Sequence, residues 1–415
     1  MNRKNILIIM LIVWWGMCAA AQTHLFVAAN GDDTGNGLNW ENAKQTVQGA
    51  LAIANSNTVI HVKVGVYDLA TEFTVPNGVT VIGGYATASA GTDITQRNYP
   101  GTNSNWSNAS KVTILDGGYT HRVATVSSGG RLEGCILRHG KTSGNGAGVL
   151  IDGGTVTHCV LLNNLAYNNA DTTQAKGGGA YVQNNGQLLN CVVSYNRADN
   201  GFGVAGTTGD VVNNTITQGM RTFLRIDAGT VGSLVVDNNT FWNLNFVDNT
   251  NNAGLVAIQT APAEMSLKDN LVLSMGEKAK LGGDNAATPG FDGFKYWHGF
   301  GSTGNWYFSV SGTFFNTAFT SAGFTELAAD PCYNAAAGQF NLTNSDLVAN
   351  KVGASKWWTP YVEEPEDLTL GTVTGNHTWN FGNAKYFSGT IKKEMVRDLL
   401  YINASGDNPI TVNGG

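Results

Sequence analysis

A ten-residue pattern of apolar and polar positions recurs six times between residues 131 and 275. In every copy the second and seventh positions are apolar, and the fifth is Cys in the first three copies and Asn in the last three. Short apolar and polar alternation with β-branched residues is typical of half-buried β-strands. The pattern therefore predicts one short strand around the second position and another around the seventh. The copies are RLEGCILRHG from Arg131, TVTHCVLLNN from Thr155, QLLNCVVSYN from Gln187, DVVNNTITQG from Asp210, VVDNNTFWNL from Val235 and SLKDNLVLSM from Ser266.

The spacing of the copies predicts how these strands assemble. Successive fifth positions are 24, 32, 23, 25 and 31 residues apart. A unit of about 24 residues is too short for a propeller blade or a paired-helix repeat, and the regular leucines of a leucine-rich repeat are missing. Three short strands per unit, stacked unit on unit as parallel strands about 4.8 Å apart, fit this length. The predicted fold is all-β, a right-handed parallel β-helix, with the extra residues of the two long spacings in loops at the turns.

The fifth position predicts a stack of inward side chains. Asn residues in successive coils can hydrogen-bond to each other, and small Cys side chains can continue the same stack. A disulfide is the alternative in an exported protein. Three equivalent inward sites would leave one cysteine over, and Cys332 is distant in sequence, so we expect three thiols. The stack comprises Cys135, Cys159, Cys191, Asn214, Asn239 and Asn270.

The sixth position lies between two inward positions and should therefore point outward. It is mostly apolar, which is unusual for an exposed sheet. We expect the long loops or the C-terminal segment to cover this stripe, and the alternative is a binding surface. The stripe comprises Ile136, Val160, Val192, Thr215, Thr240 and Leu271.

A helix is predicted from Trp40 to Ala54, ahead of the first coil. Asn39 is a candidate N-cap, and apolar residues spaced by three and four from Ala43 onward form one face. Such a helix would cap the open N-terminal end of the solenoid. Strands of the first coils are then predicted at residues 59–64, 79–82 and 112–115.

The first 21 residues have the character of a secretory signal peptide. A basic start at Arg3 and Lys4 precedes an apolar run of ten residues, and small residues at 19–21 offer a cleavage site. An N-terminal anchor helix and lipidation at Cys18 are the alternatives. Export predicts a periplasmic, cell-surface or secreted protein.

Residues 22–415 are predicted to divide into four further segments. Residues 22–58 hold an N-terminal strand and the capping helix, and residues 59–360 form the β-helix. An acidic linker at 361–367 precedes a short β-rich segment at 368–415, which we interpret as an incomplete domain.

The amino-acid composition excludes several classes of protein. The chain of 415 residues has 53 Gly and 46 Asn, which suit tight turns, and only 13% charged residues. This composition excludes a disordered chain, a coiled coil and collagen. Without the signal peptide, 22 basic residues stand against 30 acidic ones, a net charge of −8, and no basic run is present. We therefore expect no binding to nucleic acid and, since no later apolar run is long enough, no transmembrane segment in the mature chain.

Four stretches resemble bacterial exported pectate-lyase-like right-handed parallel β-helix proteins. They are FVAANGDD from Phe26 with GNG from Gly35, VKVGVY from Val62, GGAY from Gly178, and the segment from Asp330 to GQFNL at Gly338. The resemblance covers about residues 24–360. It implies the β-helix fold and a polysaccharide or cell-surface partner, because the family includes lyases, hydrolases, epimerases and non-catalytic surface proteins.

The resemblance to this family also directs the search for an active site. Its lyases use carboxylate-held Ca²⁺ with an Arg or Lys base, and the known lyase and hydrolase motifs are absent here. The sequence therefore favours a protein that binds polysaccharide or another cell-surface partner without catalysis. The alternative is a lyase that cleaves uronate-containing glycan by β-elimination.

Seven residues are the candidates for a site. Arg138, His139 and Lys141 concentrate positive charge at the end of the first copy, where the alternative is an exposed turn with Arg138 facing solvent. Lys176, with Asp171, lies in the first long insertion and could line a groove, or be merely solvated. Asp32 and Asp33 in the Gly-rich opening could bind Ca²⁺, the one cofactor considered, although a capped turn is the alternative.

Overall fold

The computed structural model describes residues 22–85, 97–100, 109–168, 170, 175–198, 203–212, 214–217, 224–227, 233–243, 256–260, 264–266, 268–274, 305–309, 324–330, 332–334, 339–349, 352–354, 373–374, 378–379, 391–392 and 401–402. The predicted signal peptide, the acidic linker and Asp171 lie outside these residues, and so does most of the loop at 86–110.

Three long sheets of parallel strands form the body of the protein. The first sheet contains, in order of pairing, β1 (Thr23–Val27), β2 (Thr58–Lys63), β5 (Val79–Tyr85), β8 (Arg131–Glu133), β12 (Thr155–Thr157), β16 (Gly186–Leu189), β20 (Gly209–Val212), β23 (Ser233–Asp237) and β26 (Glu264–Ser266). The second sheet contains β3 (Gly65–Asp68), β6 (Thr113–Asp116), β9 (Cys135–Arg138), β13 (Val160–Leu162), β17 (Val192–Ser194), β21 (Thr215–Thr217), β24 (Thr240–Asn243), β27 (Leu271–Ser274), β28 (Asn305–Ser309) and β29 (Phe324–Glu326).

The third and fourth sheets complete each coil. The third sheet contains β4 (Phe73–Val75), β7 (Ala124–Ser127), β11 (Val149–Asp152), β15 (Ala180–Gln183), β19 (Val204–Gly206), β22 (Leu224–Asp227) and β25 (Val256–Thr260). The small fourth sheet contains β10 (Lys141–Thr142), β14 (Leu165–Ala166) and β18 (Arg197–Ala198). From β7 to β27 the chain visits the third, first and second sheets in turn, and it crosses the fourth sheet in three coils before it begins the next coil.

The strand register confirms the predicted all-β parallel β-helix. Each sixth-position residue is the Cα partner of the sixth-position residue in the next coil, from Ile136 through Val160 to Leu271. The second positions are paired in the same way from Leu132 to Val236. Because the register is shared, the fifth and seventh positions form two inward lines. The seventh positions that the structure describes are buried, and Leu137, Leu161 and Val193 lie in one continuous core.

The fourth position of the pattern makes the corner between the first and second sheets. Its residue adopts a left-handed backbone conformation in every copy that the structure describes. Left-handed φ favours Gly, Asn, Asp and His over β-branched residues, which explains the composition of this position. The φ values are +70° at Gly134, +55° at His158, +53° at Asn190, +57° at Asn238 and +54° at Asp269.

The N-terminal helix is shorter than predicted, so its bounds and its Asn39 cap were wrong. Helix α1 comprises only Val47–Leu51, and the hydroxyl of its N-cap Thr46 accepts from the N–H of Gly49. The residues before it form bends and turns around an isolated bridge at Lys44, whose N–H donates to the carbonyl of Phe26 at 2.8 Å and ties this segment to β1. The helix still packs close to β1, β2 and β4 at the N-terminal end, where a cap was expected.

The outward apolar stripe is covered, as predicted. Its described side chains are at most 4% exposed. They form one apolar cluster with residues late in the chain, including Leu347 of helix α2 (Ser345–Ala349) and Val352. The backbone N–H of Ala354 donates to the Thr240 hydroxyl at 2.9 Å, which fixes this late segment on the second sheet.

The parallel stack ends at β29 within the described residues. Strands β30 (Cys332–Asn334) and β31 (Gln339–Leu342) then pair antiparallel. Near the C-terminus β32 (Val373–Thr374) pairs with β34 (Ile391–Lys392), and β33 (Thr378–Trp379) pairs with β35 (Tyr401–Ile402), both in parallel. In the part of the chain that is described, neither helix has the length and apolar character needed to cross a bilayer.

Candidate functional site

Two ladders of hydrogen bonds hold the coils in register beneath the candidate site. In the fifth-position ladder the Oδ1 atom of each Asn accepts from the backbone N–H of the preceding coil, as from Asn214 to Asn239 at 2.9 Å and from Asn239 to Asn270 at 2.9 Å. The ladder extends one coil further than predicted, because Asn270 donates to Asn305 at 2.9 Å. All four Asn side chains are fully buried.

Three cysteines continue this ladder toward the N-terminus, and they are free thiols as predicted. The thiol of Cys191 contacts the carbonyl oxygen of Leu189 at 3.2 Å, and its backbone N–H donates to Asn214 Oδ1 at 2.8 Å. Burial raises the pKa of the Cys135 and Cys191 thiols well above the ordinary value. Thiols held in this way are poor nucleophiles, so they serve packing and not chemistry.

The second ladder lies at the tenth position and was missed in the sequence. Asn164 donates from Nδ2 to Asn196 Oδ1 at 2.9 Å and to the carbonyl of Leu137 at 3.0 Å. Its own Oδ1 accepts from the N–H of Gly140 at 2.7 Å. A Cβ atom at Gly140 would lie 2.0 Å from the carbonyl oxygen of Ala147, which explains Gly in this copy. This ladder fixes the turn that carries three of the predicted site residues.

Arg138 and His139 converge on Asp116 of the preceding coil. Arg138 donates from Nε to Asp116 Oδ2 at 2.7 Å, and Nδ1 of His139 lies 3.0 Å from the same oxygen. The pairing follows from the register, since Asp116 and Arg138 are Cα partners on β6 and β9. Burial favours a raised pKa for Asp116, but His139, the N–H of Gly118 and Arg138 outweigh it and lower the pKa to about 2. Asp116 is therefore ionised and anchors both side chains.

The alternative interpretation of Arg138, as a residue that faces solvent at an exposed turn, needs correction. Its side chain is 24% exposed and that of Asp116 only 10%. The sequence pattern placed Arg138 correctly on the outward face but did not identify its acidic neighbour 22 residues earlier. The ring of His139 also stacks on Tyr119, with ring centroids 4.7 Å apart. The turn is thus a fixed, charged structure.

A second ion pair lies at the adjoining turn. Arg122 donates from Nη1 to both carboxylate oxygens of Glu72, at 2.9 and 3.0 Å, and from Nε to the carbonyl of Gly146 at 2.9 Å. The hydroxyl of Thr125 donates to the same carboxylate. The two turns are joined because the N–H of Lys141 donates to the carbonyl of His121 at 2.9 Å. No partner for Arg122 was predicted from the sequence.

Basic residues from four coils meet along this corner of the solenoid. Lys141 and Arg197 lie at equivalent positions of the fourth sheet, on either side of Leu165. Lys176 lies next to Arg122, because both donate to Asn145. The backbone N–H of Lys176 donates to Asn145 Oδ1, and Nη2 of Arg122 donates to the backbone carbonyl of Asn145. We name this surface the basic edge. It comprises Arg122, Arg138, His139, Lys141, Lys176 and Arg197.

Arg197 was missed in the sequence, although a signal was present. If the ten-residue pattern is extended by one position, Lys141, Leu165 and Arg197 occupy the same eleventh site. In the fourth sheet the residue that follows the eleventh site points inward, and in two coils it is the buried Ala166 or Ala198. The eleventh site consequently faces away from the core.

Asp32 and Asp33 accept hydrogen bonds from different donors. Asp33 accepts from the N–H groups of Gln45 and Thr46 at 2.9 Å each through Oδ1, and from the Thr46 hydroxyl at 2.6 Å through Oδ2. Asp32 accepts from the N–H of Thr34 at 2.8 Å, and this hydrogen bond lowers its pKa. Both carboxylates thus organise the turns that lead into α1.

No metal-binding group is apparent in the described part of the chain. Within those residues no three His, Cys, Asp or Glu side chains are placed so that they could hold one ion. Calcium binding at Asp32 and Asp33 stays a prediction from the sequence. Asp33 would have to exchange three protein donors for the ion.

The chain was also compared with known proteins. No protein-family model and no curated protein matches it. A solved structure described as "Crystal structure of pectate lyase Pel9A" matches with a TM-score of 0.34 and 14% sequence identity, over 62% of this chain and 77% of that chain. The strand register described above, and not this likeness, establishes the parallel β-helix.

Proposed function

We propose that the chain is an exported β-helix protein that binds polysaccharide or another cell-surface partner through the basic edge, without catalysis. The observation that supports this most is the gathering of six basic residues along one corner of a chain whose formal net charge is −6. Such a surface attracts polyanions and raises their rate of association. Acidic polysaccharide is accordingly the first ligand to test.

The shape of the basic edge suits a polymer. A solenoid is an extended scaffold, and equivalent side chains repeat along its axis at about 4.8 Å per coil. Lys141 and Arg197 are two coils apart, so their backbones are separated by roughly 10 Å on this spacing. A chain of sugar units that runs along the axis could contact both.

The geometry disfavours the lyase alternative. A general base must lose its proton near neutral pH, which requires surroundings that destabilise its charged form. The carboxylate of Asp116 occupies Nε of Arg138 and Nδ1 of His139, at 2.7 and 3.0 Å, so neither nitrogen is open to a substrate proton. These two candidate bases are therefore better suited to a fixed positive surface than to proton abstraction.

Two double variants test the proposal. Lys141→Ala with Arg197→Ala removes two charges from the basic edge, and Lys111→Ala with Lys268→Ala removes two exposed charges elsewhere. Each exposed charge contributes up to about 1 kcal/mol, so we expect the first variant to bind polygalacturonate roughly tenfold more weakly. The control variant should bind within about twofold of the wild type.

Binding would be measured on immobilised polygalacturonate and on a neutral glucan at two salt concentrations. The proposal predicts binding to the acidic polymer that weakens with salt, because screening reduces interactions between exposed charges. Equal losses in the two variants, or equal binding to the neutral polymer, would contradict a role for the basic edge.

A further inference from the structure

A buried arginine lies on the outer face of the first sheet, away from the basic edge. The side chain of Arg97 is only 1% exposed, and its Nη2 atom pairs with Glu133 of β8. Its guanidinium carbon lies 4.5 Å from the ring centroid of Tyr99 and 5.9 Å from that of Tyr85. Arg97 is thus enclosed by two aromatic rings and one carboxylate.

This arginine has donors that the protein does not use. Among the residues that the structure describes, neither Nε nor Nη1 of Arg97 has a hydrogen-bond partner, and the same holds for Nε1 of Trp40, whose ring lies 5.8 Å from that of Tyr85. In the described residues only four buried side-chain atoms lack a partner, and these are three of them. An unused buried donor costs about 1–3 kcal/mol, so two on the one guanidinium of Arg97 indicate a missing acceptor.

The charges around Arg97 are also unbalanced. Glu133 is shared by two guanidinium groups, because its Oε1 faces Arg97 and its Oε2 accepts from Arg131 at 2.7 Å. The nearby imidazoles add no negative charge. Burial lowers the pKa of His61 and of His158 to about 4, which leaves both neutral at pH 7. Among the described residues one carboxylate therefore faces two guanidinium groups, of which that of Arg97 is 1% and that of Arg131 is 40% exposed.

We infer that Arg97 binds a small monovalent anion, a carboxylate or a halide, which accepts from Nε or Nη1. Such an anion satisfies two separate requirements, for a hydrogen-bond acceptor and for a negative charge. A water molecule would meet only the first. Arg97 suits this role because a guanidinium remains charged when it is buried. The site is distinct from the basic edge and does not depend on the proposed function.

Bromide scattering tests the site in the wild-type protein. Crystals grown in a halide-free sulfate buffer would be soaked in sodium bromide, and anomalous scattering would locate the ion. We expect a peak within about 3.5 Å of Arg97 Nε or Nη1, which is hydrogen-bond range for a large halide. A map that shows water there, with bromide elsewhere on the surface only, would overturn the inference for halides.

Thermal unfolding with sodium bromide and with sodium acetate, at constant ionic strength, separates the two kinds of anion. Ligands that bind the folded state raise the melting temperature in a saturable way. We expect such a rise of a few degrees in the wild type and in the exposed control Lys111→Gln, and none in Arg97→Gln. Saturation with acetate alone assigns a carboxylate site, and saturation with bromide alone assigns a halide site.

Two results would overturn the inference altogether. One is a rise that persists in Arg97→Gln, which would show a general salt effect. The other is a wild-type protein that responds to neither anion and has no bromide at Arg97. If Arg97→Gln does not fold, Arg97→Lys replaces it, since lysine keeps the charge but lacks the Nε and Nη1 donors and should respond more weakly.

Discussion

Removal of one rung of the fifth-position ladder should destabilise the protein more than an ordinary hydrogen-bond deletion. Asn239 is fully buried and its side chain makes five hydrogen bonds. Its Oδ1 accepts from the N and Nδ2 atoms of Asn214 at 2.9 and 3.1 Å. Its Nδ2 donates to the carbonyls of Val211 and Asp237 and to Asn270 Oδ1, at 2.7, 3.1 and 3.2 Å.

The magnitude follows from what Asn239→Ala leaves behind. The backbone N–H of Asn214 loses its acceptor in the core, which costs about 1–3 kcal/mol. Asn214 Nδ2 keeps a bond to the carbonyl of Leu188 at 2.9 Å, so its loss is smaller. The remaining bonds contribute roughly 1 kcal/mol together once partial relaxation is allowed. We therefore expect the free energy of unfolding to fall by about 3 kcal/mol.

Equilibrium unfolding in urea would measure this loss against a matched control. Asn42→Ala removes an exposed Asn whose Nδ2 donates to Asn39 Oδ1 at 3.0 Å, and it should change stability by less than about 0.5 kcal/mol. A fall below about 1 kcal/mol for Asn239→Ala, or equal effects of the two variants, would refute the ladder as a source of stability.

Three further predictions concern charge inside the fold. Arg138→Ala should lower the free energy of unfolding by about 1–2 kcal/mol because Asp116 loses the guanidinium that pairs with its Oδ2 atom, and unchanged urea unfolding would contradict this pairing. Cys159→Asp should cost several kcal/mol because it places a carboxylate at a site only 1% exposed, and a variant that melts with the wild type would show that the site is open to water. Burial lowers the pKa of His61 to about 4, so the unfolded state binds a proton on this side chain more readily than the folded state does. The free energy of unfolding should therefore be highest above pH 6.5 and should fall as the pH is lowered toward 4. This contribution is about 3 kcal/mol at most, and a His61→Gln variant with the same pH dependence as the wild type would disprove it.

The repeat predicted the fold well because its register depends on local alternation. A residue at the fifth position is inward whenever the seventh is inward, because the two lie two residues apart on one strand, so Asn214 and Asn239 could be placed without knowledge of the loops. Asn305 was missed because the period is obscured after residue 275, although its side chain continues the ladder. Asn164 and Asn196 were missed because Asn occupies the tenth position in only two of the six copies, so this position lacks the regularity of the fifth.

The candidate site was predicted only in part because its partners come from other coils. Arg138 and His139 were identified as a charged turn, but Asp116 belongs to a coil that precedes the first recognisable copy. Helix α1 was predicted too long because propensity and an apolar stripe say nothing about the bond between Lys44 and Phe26. Contacts of this kind depend on tertiary structure, which no window of sequence contains.

Binding and cleavage measured together on one panel of polysaccharides test the proposed function most directly. Purified wild-type protein would be assayed with polygalacturonate, alginate and a neutral glucan, with and without Ca²⁺. Retention reports binding, and ultraviolet absorbance reports the unsaturated uronates that β-elimination forms. The account predicts salt-sensitive binding to an acidic polymer with no rise in absorbance. A steady rise in absorbance that Arg138→Ala abolishes would contradict it and establish a lyase.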